Sequence, residues 1–284
     1  MDILDLENSL KFASYNGVGL NIDERFQLQN GIQGLLNSAA RSDFEELLFW
    51  GRIEGLQKDY YICLGVTYSD KYEFPEKRFY WASSADFKFQ AFPSRNDQHD
   101  DKFDQISGLF TGDAHKVIYQ SEPEKPPADE ADAAQQQVDN EPPKEKDPLA
   151  STEEEDPNAN FVHRNFTELD RLQMTVYAIE NDCHILPKGS VKLTDQHEVR
   201  RNNAFRGLAI DDACGIHNYS YFRACQDKLK AAALEKDECV FRNDFLDEAN
   251  VQQTQGCLSA QRVSTKGNIA LIRNHLWPGY ATYH

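Results

Sequence analysis

The fold of this chain is decided by residues 46–67, which read ELLFWGRIEGLQKDYYICLGVT. Two blocks of aromatic and aliphatic residues, 47–53 and 60–66, are separated by the polar connection 54–59, which contains one glycine. Two β-rich blocks joined by a short glycine-containing loop are typical of a β-hairpin. We therefore predict an antiparallel pair of strands here and place the rest of the fold around it.

Both faces of this hairpin are expected to be covered. Phe49 and Trp50 are adjacent and both large, so they lie on opposite faces of the first strand. Alternation in the second strand gives two sets of side chains, with Tyr60, Ile62 and Leu64 on one face and Tyr61, Cys63 and Gly65 on the other. This pattern contains no recognisable catalytic residues. We therefore predict that these side chains serve packing and strand pairing.

The residues around the hairpin predict an α+β fold with an antiparallel meander. Helical spacing of apolar residues predicts a short amphipathic helix over 3–14. Asn21, with Glu24 three residues later, forms a capping-box pattern that starts a second helix. The apolar stripe of that helix is Phe26, Ile32, Leu35 and Leu36. Segments 78–83 and 87–92 resemble strands, so about four antiparallel strands would bury one face against the two helices.

The second half of the chain carries further strand and helix patterns. The predicted elements are a hairpin of 174–179 and 183–186 closed by Pro187-Lys188-Gly189, a helix from Asp211-Asp212 to about Arg223, an alanine-rich helix at 228–234, and a C-terminal hairpin of 257–264 and 269–276 with its turn at 265–268. Trp277-Pro278-Gly279 ends the last strand, because proline cannot donate to a ladder. The apolar run of 269–276 indicates burial on both sides, so we expect this hairpin to pack on the same unit as the meander.

Composition excludes several classes of protein. A net charge of −17 over 284 residues argues against binding to a nucleic-acid backbone. The chain opens with acidic rather than basic residues, unlike a secretory signal, and no apolar run approaches the ~20 residues that a membrane helix needs. The six cysteines show no disulfide-like spacing, which fits a reducing, cytosol-facing compartment. We therefore expect no nucleic-acid and no membrane partner.

Residues 121–160 differ from the rest of the chain. They hold thirteen acidic residues against three lysines, which gives −10 of the total −17, together with seven of the eleven prolines. Such a segment cannot bury enough apolar surface to offset the entropy of ordering it, so we predict a disordered acidic insertion. The composition alone leaves open whether it separates two domains. Because 1–120 offers only a thin core, we predict that 1–120 and 161–284 are two halves of one α+β unit.

The chain contains few candidate catalytic or ligand-binding motifs. The chain has no phosphate-binding loop of the Walker type and no G-x-S-x-G elbow. The pairs Cys214 and His217, and Cys183 and His184, are possible metal ligands, but paired CxxC spacing is missing, so we expect no metal and no cofactor. A catalytic cysteine and histidine need only meet in space, so a hydrolase remains open as a hypothesis.

One long pattern resembles a known family. Leu48-Phe49-Trp50-Gly51-Arg52-Ile53-x-Gly55-Leu56, followed by Asp59-Tyr60-Tyr61-Ile62-x-x-Gly65, is similar to the hallmark segment of the radial spoke head protein 9 family. Three further matches stand in the same order: Pro187-x-Gly189, Asn203-x-Phe205-x-Gly207-Leu208, and Leu276-Trp277-Pro278-Gly279 with Tyr283-His284. The 4/6-type spoke head paralogues carry a related pattern, and Arg52 favours the protein 9 type.

The resemblance implies a non-enzymatic subunit of the radial spoke head in the axoneme of cilia and flagella. The implied partners are other spoke head proteins, including the 4/6-type paralogues, and indirectly the central-pair apparatus, with dynein-driven motility as the regulated process. The residues implied to serve packing or an interface are Phe49, Trp50, Gly51, Arg52, Ile53, Asp59, Tyr60, Tyr61, Ile62, Phe205, Gly207, Trp277, Pro278 and Gly279. The alternative is a soluble cytosolic adaptor whose acidic segment binds a basic partner.

Overall fold

The computed structural model describes most of the chain outside a few segments. The described residues are 1, 3, 6–14, 19–68, 74–94, 103, 105–106, 108–119, 165–195, 198–234, 244–249, 257–263 and 269–284. The predicted acidic insertion at 121–160 and the predicted turn at 265–268 lie outside them. The fold is α+β, as predicted, with helices and several antiparallel sheets.

A four-stranded antiparallel meander is the largest sheet in the described part of the chain. Its strands are β1 (Glu46–Ile53), β2 (Tyr60–Thr67), β3 (Glu76–Ser83) and β4 (Gln90–Ala91), in the order β1-β2-β3-β4. The predicted hairpin is confirmed, with a register that runs from Glu46 opposite Val66 to Ile53 opposite Tyr60. The register shifts between Phe49 and Gly51, so Trp50 is the extra residue of a β-bulge.

The predicted strand at 87–92 is wrong except for its last part. Only Gln90 and Ala91 pair with β3, and Phe87 has a φ of 52°, in the left-handed region that strands do not use. The Phe87 N–H instead donates to the Ser83 carbonyl oxygen at 3.0 Å and closes a turn. The buried Phe87 ring reaches the core from this turn. An apolar residue at this position is therefore no sign of a β-strand.

The first face of the meander packs on two N-terminal helices, α1 (Leu6–Ala13) and α2 (Ile22–Leu36). The predicted capping box is confirmed, since the Asn21 side chain accepts from the Glu24 N–H and the Glu24 carboxylate accepts from the Asn21 N–H. The predicted apolar stripe of α2 is wrong at one position. Its buried residues are Leu28, Ile32 and Leu35, whereas Phe26 is 60% exposed. Helical phase explains this, because Phe26 points away from the stripe that Leu28 and Leu35 define.

The second face is covered by α3 (Glu168–Cys183), which replaces the strand predicted at 174–179. The β-branched and aromatic residues Thr175, Val176, Tyr177 and Ile179 favour a strand locally. Burial at Leu172, Val176, Glu180 and Cys183, however, follows a helical period of three to four. Thr167 caps the helix in a second capping box with Asp170. Tertiary packing on the sheet therefore overrides the local strand propensity.

Short paired strands connect α3 to the C-terminal sheet. They are β7 (Ile185–Pro187) with β10 (Tyr219–Tyr221), and β8 (Val191–Leu193) with β9 (Val199–Arg201). The predicted helix to Arg223 is wrong. α4 (Ile210–Ala213) is only four residues long, and a short 3-10 turn, Ile216–Asn218, separates it from β10. Tyr219 and Tyr221 are both fully buried, and this burial holds their segment as a strand.

The C-terminal sheet contains β11 (Leu258–Arg262), β12 (Ala270–Asn274) and β13 (Ala281–Tyr283). The predicted pairing of the two C-terminal strands is confirmed, as is the helix α5 (Lys228–Leu234). β13 was not predicted. It follows the chain reversal at Trp277–Tyr280, where Gly279 has a φ of 102°. In the described residues this sheet does not pair with the meander, and it contacts β1 through the Trp50 and Tyr280 rings, 6.4 Å apart.

A small ladder marks the ends of the acidic insertion. β5 (Val117–Tyr119) pairs with β6 (Phe166–Thr167), and Tyr119 lies opposite Phe166. The chain therefore leaves and re-enters the described fold on neighbouring strands. Among the described helices, none has the length and apolar character needed to cross a membrane.

Candidate interface residues and the network that positions them

A buried acidic network joins the hallmark segment to the end of α3. The indole N–H of Trp50 donates to a Glu180 carboxylate oxygen at 2.9 Å. The other oxygen accepts from the Lys77 ammonium at 2.6 Å and contacts the His184 ring. Lys77 also donates to the Phe222 carbonyl oxygen and lies 4.7 Å from the centre of the Phe222 ring. β1, β3 and α3 therefore meet at one carboxylate, and Lys77 connects it to the residue that follows β10.

Electrostatics explains why this carboxylate stays ionised while it is only 3% exposed. Burial alone would raise the pKa of Glu180, but the adjacent His184 ring and Lys77 ammonium hold it well below its ordinary value. Burial lowers the pKa of Lys77, and the Glu180 carboxylate opposes that shift. The two groups form a charged, hydrogen-bonded pair, and removal of either one would leave a buried charge without compensation.

A second network holds the start of α3 on the same face of the sheet. The Tyr60 hydroxyl donates to Glu168 at 2.8 Å, and the backbone N–H groups of Gly112 and Thr111 donate at 2.7 and 3.0 Å. The Thr111 hydroxyl is a further donor. Burial would raise the pKa of Glu168, but the donors from Thr111, Tyr60 and Gly112 lower it. Glu168 therefore fastens the helix to β2 and to the 109–112 segment.

That segment approaches the hairpin loop closely. A β-carbon on Gly55 would lie 2.1 Å from the Lys58 carbonyl oxygen, and one on Gly112 would lie 2.4 Å from the same atom. Gly112 also has a φ of 93°. The Leu56 N–H donates to the Phe110 carbonyl oxygen at 2.8 Å, and the Gln57 N–H donates to the Thr111 carbonyl oxygen at 3.0 Å. Glycine is required at 112 both for space and for backbone conformation.

The opposite face of the hairpin places Arg52 among three carboxylates. Its guanidinium lies 2.9 Å from Glu54, 3.6 Å from Glu24 and 3.7 Å from Asp59. These contacts tie the first turn of α2 to the hairpin loop. The neighbouring Tyr61 ring is fully buried against Phe87, with 4.9 Å between ring centres. Burial, reinforced by the Glu24 carboxylate, raises the pKa of Tyr61 to about 12.

The C-terminal motif meets α3 two residues beyond Glu180. The indole N–H of Trp277 donates to the Asp182 carboxylate at 3.0 Å, and the Asn274 side chain donates to the Asp182 carbonyl oxygen at 3.0 Å. Pro278 and Gly279 are exposed. Trp50 and Trp277, which come from motifs far apart in the chain, therefore bind acidic groups in the last turn of one helix.

The remaining predicted residues fall into two groups. Phe49 and Ile62 are core residues on opposite faces of the sheet, and Gly51 and Ile53 follow the bulge at half-buried positions. Phe205 is half-buried at a cavity of about 410 Å³ between the sheet and the 184–205 segment, whereas Gly207 is exposed, with a φ of 94°. The structure joins Trp50 and Trp277 to the last turn of α3 and Tyr60 to its first turn, whereas Phe205 lines the cavity.

Three of the described cysteines, Cys63, Cys183 and Cys225, lie where the thiol form is favoured. Burial raises the pKa of the Cys63 and Cys183 thiols, and burial together with Asp247 raises that of Cys225 to about 11. A raised pKa disfavours the thiolate that a cysteine nucleophile requires. Across the described ranges, no three His, Cys, Asp or Glu side chains are grouped so that they could hold a metal ion.

Comparison with known proteins assigns the family. A family model described as radial spokehead-like protein matches residues 1–164. The chain belongs to this family. Radial spoke head protein 9 homologs are similar to it along its whole length: the Mus musculus protein is 29% identical over 285 residues, and the Danio rerio and Homo sapiens proteins are 28% identical over 285 and 287 residues. Each alignment covers 100% of this chain and 91% of the relative.

In this radial spokehead-like chain, the carboxylates that anchor the motif residues are not part of any sequence motif. Glu180 and Asp182 fall in the turn between the strands predicted at 174–179 and 183–186, and Glu168 falls in no predicted element, so no role was predicted for them. The available signal was Thr167 followed by Asp170, a capping box of the same kind as the one that identified α2. That cap predicts a helix that carries the acidic residues, but it does not predict which residues bind them.

Proposed function

We propose that this radial spokehead-like protein is a non-enzymatic structural subunit of the radial spoke head in the axoneme of cilia and flagella. Family membership and the radial spoke head protein 9 homologs that match the whole chain support this assignment. As a head subunit, it helps to assemble the head that contacts the central pair and regulates dynein-driven motility. Its direct partners are other spoke head proteins, including the 4/6-type paralogues.

The proposal rests on one observation: the motif residues hold separate elements of the fold together. Trp50, Tyr60 and Trp277 each donate a hydrogen bond to an acidic side chain of α3. Their polar hydrogens are thereby engaged in contacts between elements of this chain. Groups that are fully engaged in holding elements together stabilise a scaffold, and they are unavailable for proton transfer or substrate binding.

The same contacts support the proposal that the two halves form one unit. α3 belongs to the second half, yet it covers the face of the meander that carries Tyr60, Ile62 and Phe79. Without α3 these apolar side chains would face water, at a cost of about 25 cal/mol per Å² of apolar surface. A single rigid unit suits a permanent assembly, whose interfaces are larger and more apolar than those of transient complexes.

Axoneme binding tests the function directly. A tagged copy is expressed in ciliated cells that lack the corresponding spoke head subunit, and axonemes are isolated and washed with salt. We expect the protein to co-sediment with the washed axonemes and to restore regular beating. A Trp50→Ala variant should lose both, whereas the control Leu229→Ala, at an exposed position of α5, should retain both. A folded protein found only in the supernatant would contradict the proposal and favour an adaptor elsewhere in the cell.

A further inference from the structure

Tyr60 and the 110–112 segment aim their hydrogen-bond donors at a single point, which the Glu168 carboxylate fills. One carboxylate oxygen accepts from the Tyr60 hydroxyl at 2.8 Å and from the Gly112 N–H at 2.7 Å. The other oxygen accepts from the Thr111 N–H at 3.0 Å and from the Thr111 hydroxyl. All of these donors are neutral. Successive backbone N–H groups that converge on one anion, with a residue of positive φ at Gly112, have the arrangement of an anion-binding nest.

The donors are held in place by the hairpin and not by the helix that carries Glu168. The Tyr60 ring is fully buried and packs edge-on against Phe110, with 6.3 Å between ring centres. Two backbone hydrogen bonds from the hairpin loop, to the Phe110 and Thr111 carbonyl oxygens, fix the position of the segment. The site therefore keeps its shape when the Glu168 side chain is removed.

The start of α3 is likewise attached by groups other than the carboxylate. The Glu168 N–H donates to the Lys116 carbonyl oxygen at 2.9 Å, and the Leu169 N–H donates to the Ala114 carbonyl oxygen at 3.0 Å. One turn further on, Leu172 is fully buried in the core beneath the helix. Loss of the Glu168 carboxylate should therefore empty the site without releasing the helix.

From this geometry we propose that Tyr60 and the 110–112 segment form a carboxylate-binding site, with Glu168 as its built-in ligand, and that the emptied site binds free acetate. Glu168→Ala removes Cγ, Cδ and both carboxylate oxygens, and these are the heavy atoms that acetate contains. Because Glu168 is only 2% exposed, the space left behind has the size of the removed group. This inference concerns ligand binding and does not rest on the proposed function.

The shape of the site selects a small carboxylate over other anions. The donors are divided between two oxygen positions of one planar group, with the Tyr60 hydroxyl at one position and the Thr111 hydroxyl at the other. Chloride has a single centre and cannot occupy both positions. Trimethylacetate offers the same carboxylate but is too bulky for a buried space of this size. Hydrogen bonds to an ionised acceptor are the strong ones, so acetate should bind measurably despite its small size.

Thermal unfolding of the full-length Glu168→Ala chain tests the proposal. Melting temperatures are measured by circular dichroism in sodium acetate and in sodium chloride of equal ionic strength, at about pH 7, where acetate is ionised. We expect a Kd for acetate of roughly 10–30 mM, so that about 0.3 M acetate raises the melting temperature by about 3–8 °C relative to chloride. Trimethylacetate should give no such rise. The wild-type chain should show none with either carboxylate, because its own Glu168 fills the site.

Substitution of the donors tests where acetate binds. In the Glu168→Ala chain, Tyr60→Phe and Thr111→Val each remove one hydroxyl and keep the shape of the side chain. Each should weaken the binding of acetate about tenfold, as expected for the loss of one hydrogen bond to an ion. Thr175→Val is the matched control, because its hydroxyl donates to the Arg171 carbonyl oxygen within α3. This control should leave the Kd for acetate unchanged.

The contrary outcomes are distinct. An equal rise of the melting temperature in the wild-type chain, or a rise that chloride or trimethylacetate reproduces, would show a general salt effect and overturn the proposal. A Kd that is independent of the Tyr60 and Thr111 hydroxyls would do the same. If Glu168→Ala is unfolded in chloride, refolding from urea replaces melting as the measurement. Recovery of folded protein in acetate alone would then support the site, and equal yields in the two salts, including none in either, would contradict it.

Discussion

Trp50 donates its indole N–H to the Glu180 carboxylate at 2.9 Å, although 130 residues separate them in sequence. The donor is the extra residue of a β-bulge, and the acceptor lies in the last turn of the helix that covers the sheet. Trp50 also packs edge-on against Phe79 at 6.5 Å and lies 6.4 Å from Tyr280. One side chain thereby joins the meander, α3 and the C-terminal segment.

Replacement of Trp50 separates the hydrogen bond from the ring. Trp50→Phe keeps an aromatic ring but leaves one oxygen of a buried carboxylate without its donor, which should cost about 1–3 kcal/mol. Trp50→Ala also opens a cavity and should cost roughly 3–5 kcal/mol. Urea unfolding followed by far-UV circular dichroism measures both values. Equal losses for the two variants would show that the hydrogen bond dominates and that the ring contributes little.

Acid should destabilise the protein through Glu180. Its pKa is lower in the folded protein than its ordinary value of 4.5, so its contribution is fully present above that value and is lost as pH falls toward the folded pKa. We expect the urea midpoint to fall between about pH 5 and about pH 3. Glu180→Gln should cost about 3–5 kcal/mol at pH 7, because Lys77 loses its partner, and should flatten the decline. Glu7→Gln, at an exposed position of α1, should retain the wild-type profile.

The close approach of Gly112 to the hairpin loop can be tested by substitution, with Gly108 as the matched control. Both have positive φ, 93° and 123° respectively, so alanine is conformationally unfavourable at each, by about 1–3 kcal/mol. Only at Gly112 would the new β-carbon collide with backbone, 2.4 Å from the Lys58 carbonyl oxygen. Gly112→Ala should therefore lower the melting temperature more than Gly108→Ala. Similar effects of the two variants would argue that the Lys58 segment moves aside freely.

Removal of the acidic insertion should leave stability almost unchanged. β5 and β6 pair directly on either side of it, so a linker of a few glycines and serines can replace residues 121–160 without moving Tyr119 or Phe166. Loop-closure entropy changes slowly with length, and we expect a change in unfolding free energy of about 1 kcal/mol or less. Phe166→Ala, which removes a fully buried ring, should cost about 3–5 kcal/mol in the same assay. A large loss on deletion would show that the insertion belongs to the folded core.

Separate expression of 1–120 and 161–284 tests the proposal of a single unit. The first fragment keeps the meander and α2 but lacks α3, so it would expose Tyr60, Phe79 and their neighbours on one face. We expect neither fragment to melt cooperatively alone, and a mixture to recover the near-UV circular dichroism of packed tyrosine and tryptophan. Two fragments that each unfold cooperatively and do not associate would mean that the halves are independent domains.

Local signals were sufficient for the hairpin and for the start of α2. The alternation of Tyr60 to Leu64 and the Asn21 to Glu24 cap are determined by neighbouring residues, and both were predicted correctly. α3 was missed because Thr175 to Ile179 favour a strand until the sheet supplies a surface on which Leu172 and Val176 pack at helical spacing. Phe87 was misjudged for a related reason, since its backbone is held in a turn while its ring fills the core.

The candidate site was predictable only in part. The motif identified Trp50, Tyr60 and Trp277, and these side chains do occupy joining positions in the fold. Their acceptors on α3 lie 130, 108 and 95 residues away, and no periodicity or spacing connects groups at that distance. Such pairings depend on how the chain crosses the sheet, which the topology shows and the local pattern does not.

The position of α3 also has a consequence for synthesis of the protein. At a translation rate of roughly 5–20 residues per second, the ribosome needs about 5–20 s to travel from Thr67 at the end of β2 to Glu168 at the start of α3. During that interval the face of the meander that carries Tyr60, Ile62 and Phe79 has no cover. A nascent chain with an exposed apolar sheet is a substrate for chaperones and a starting point for aggregation. The yield of this subunit in the cell therefore depends on protection during translation as well as on the stability of the finished fold.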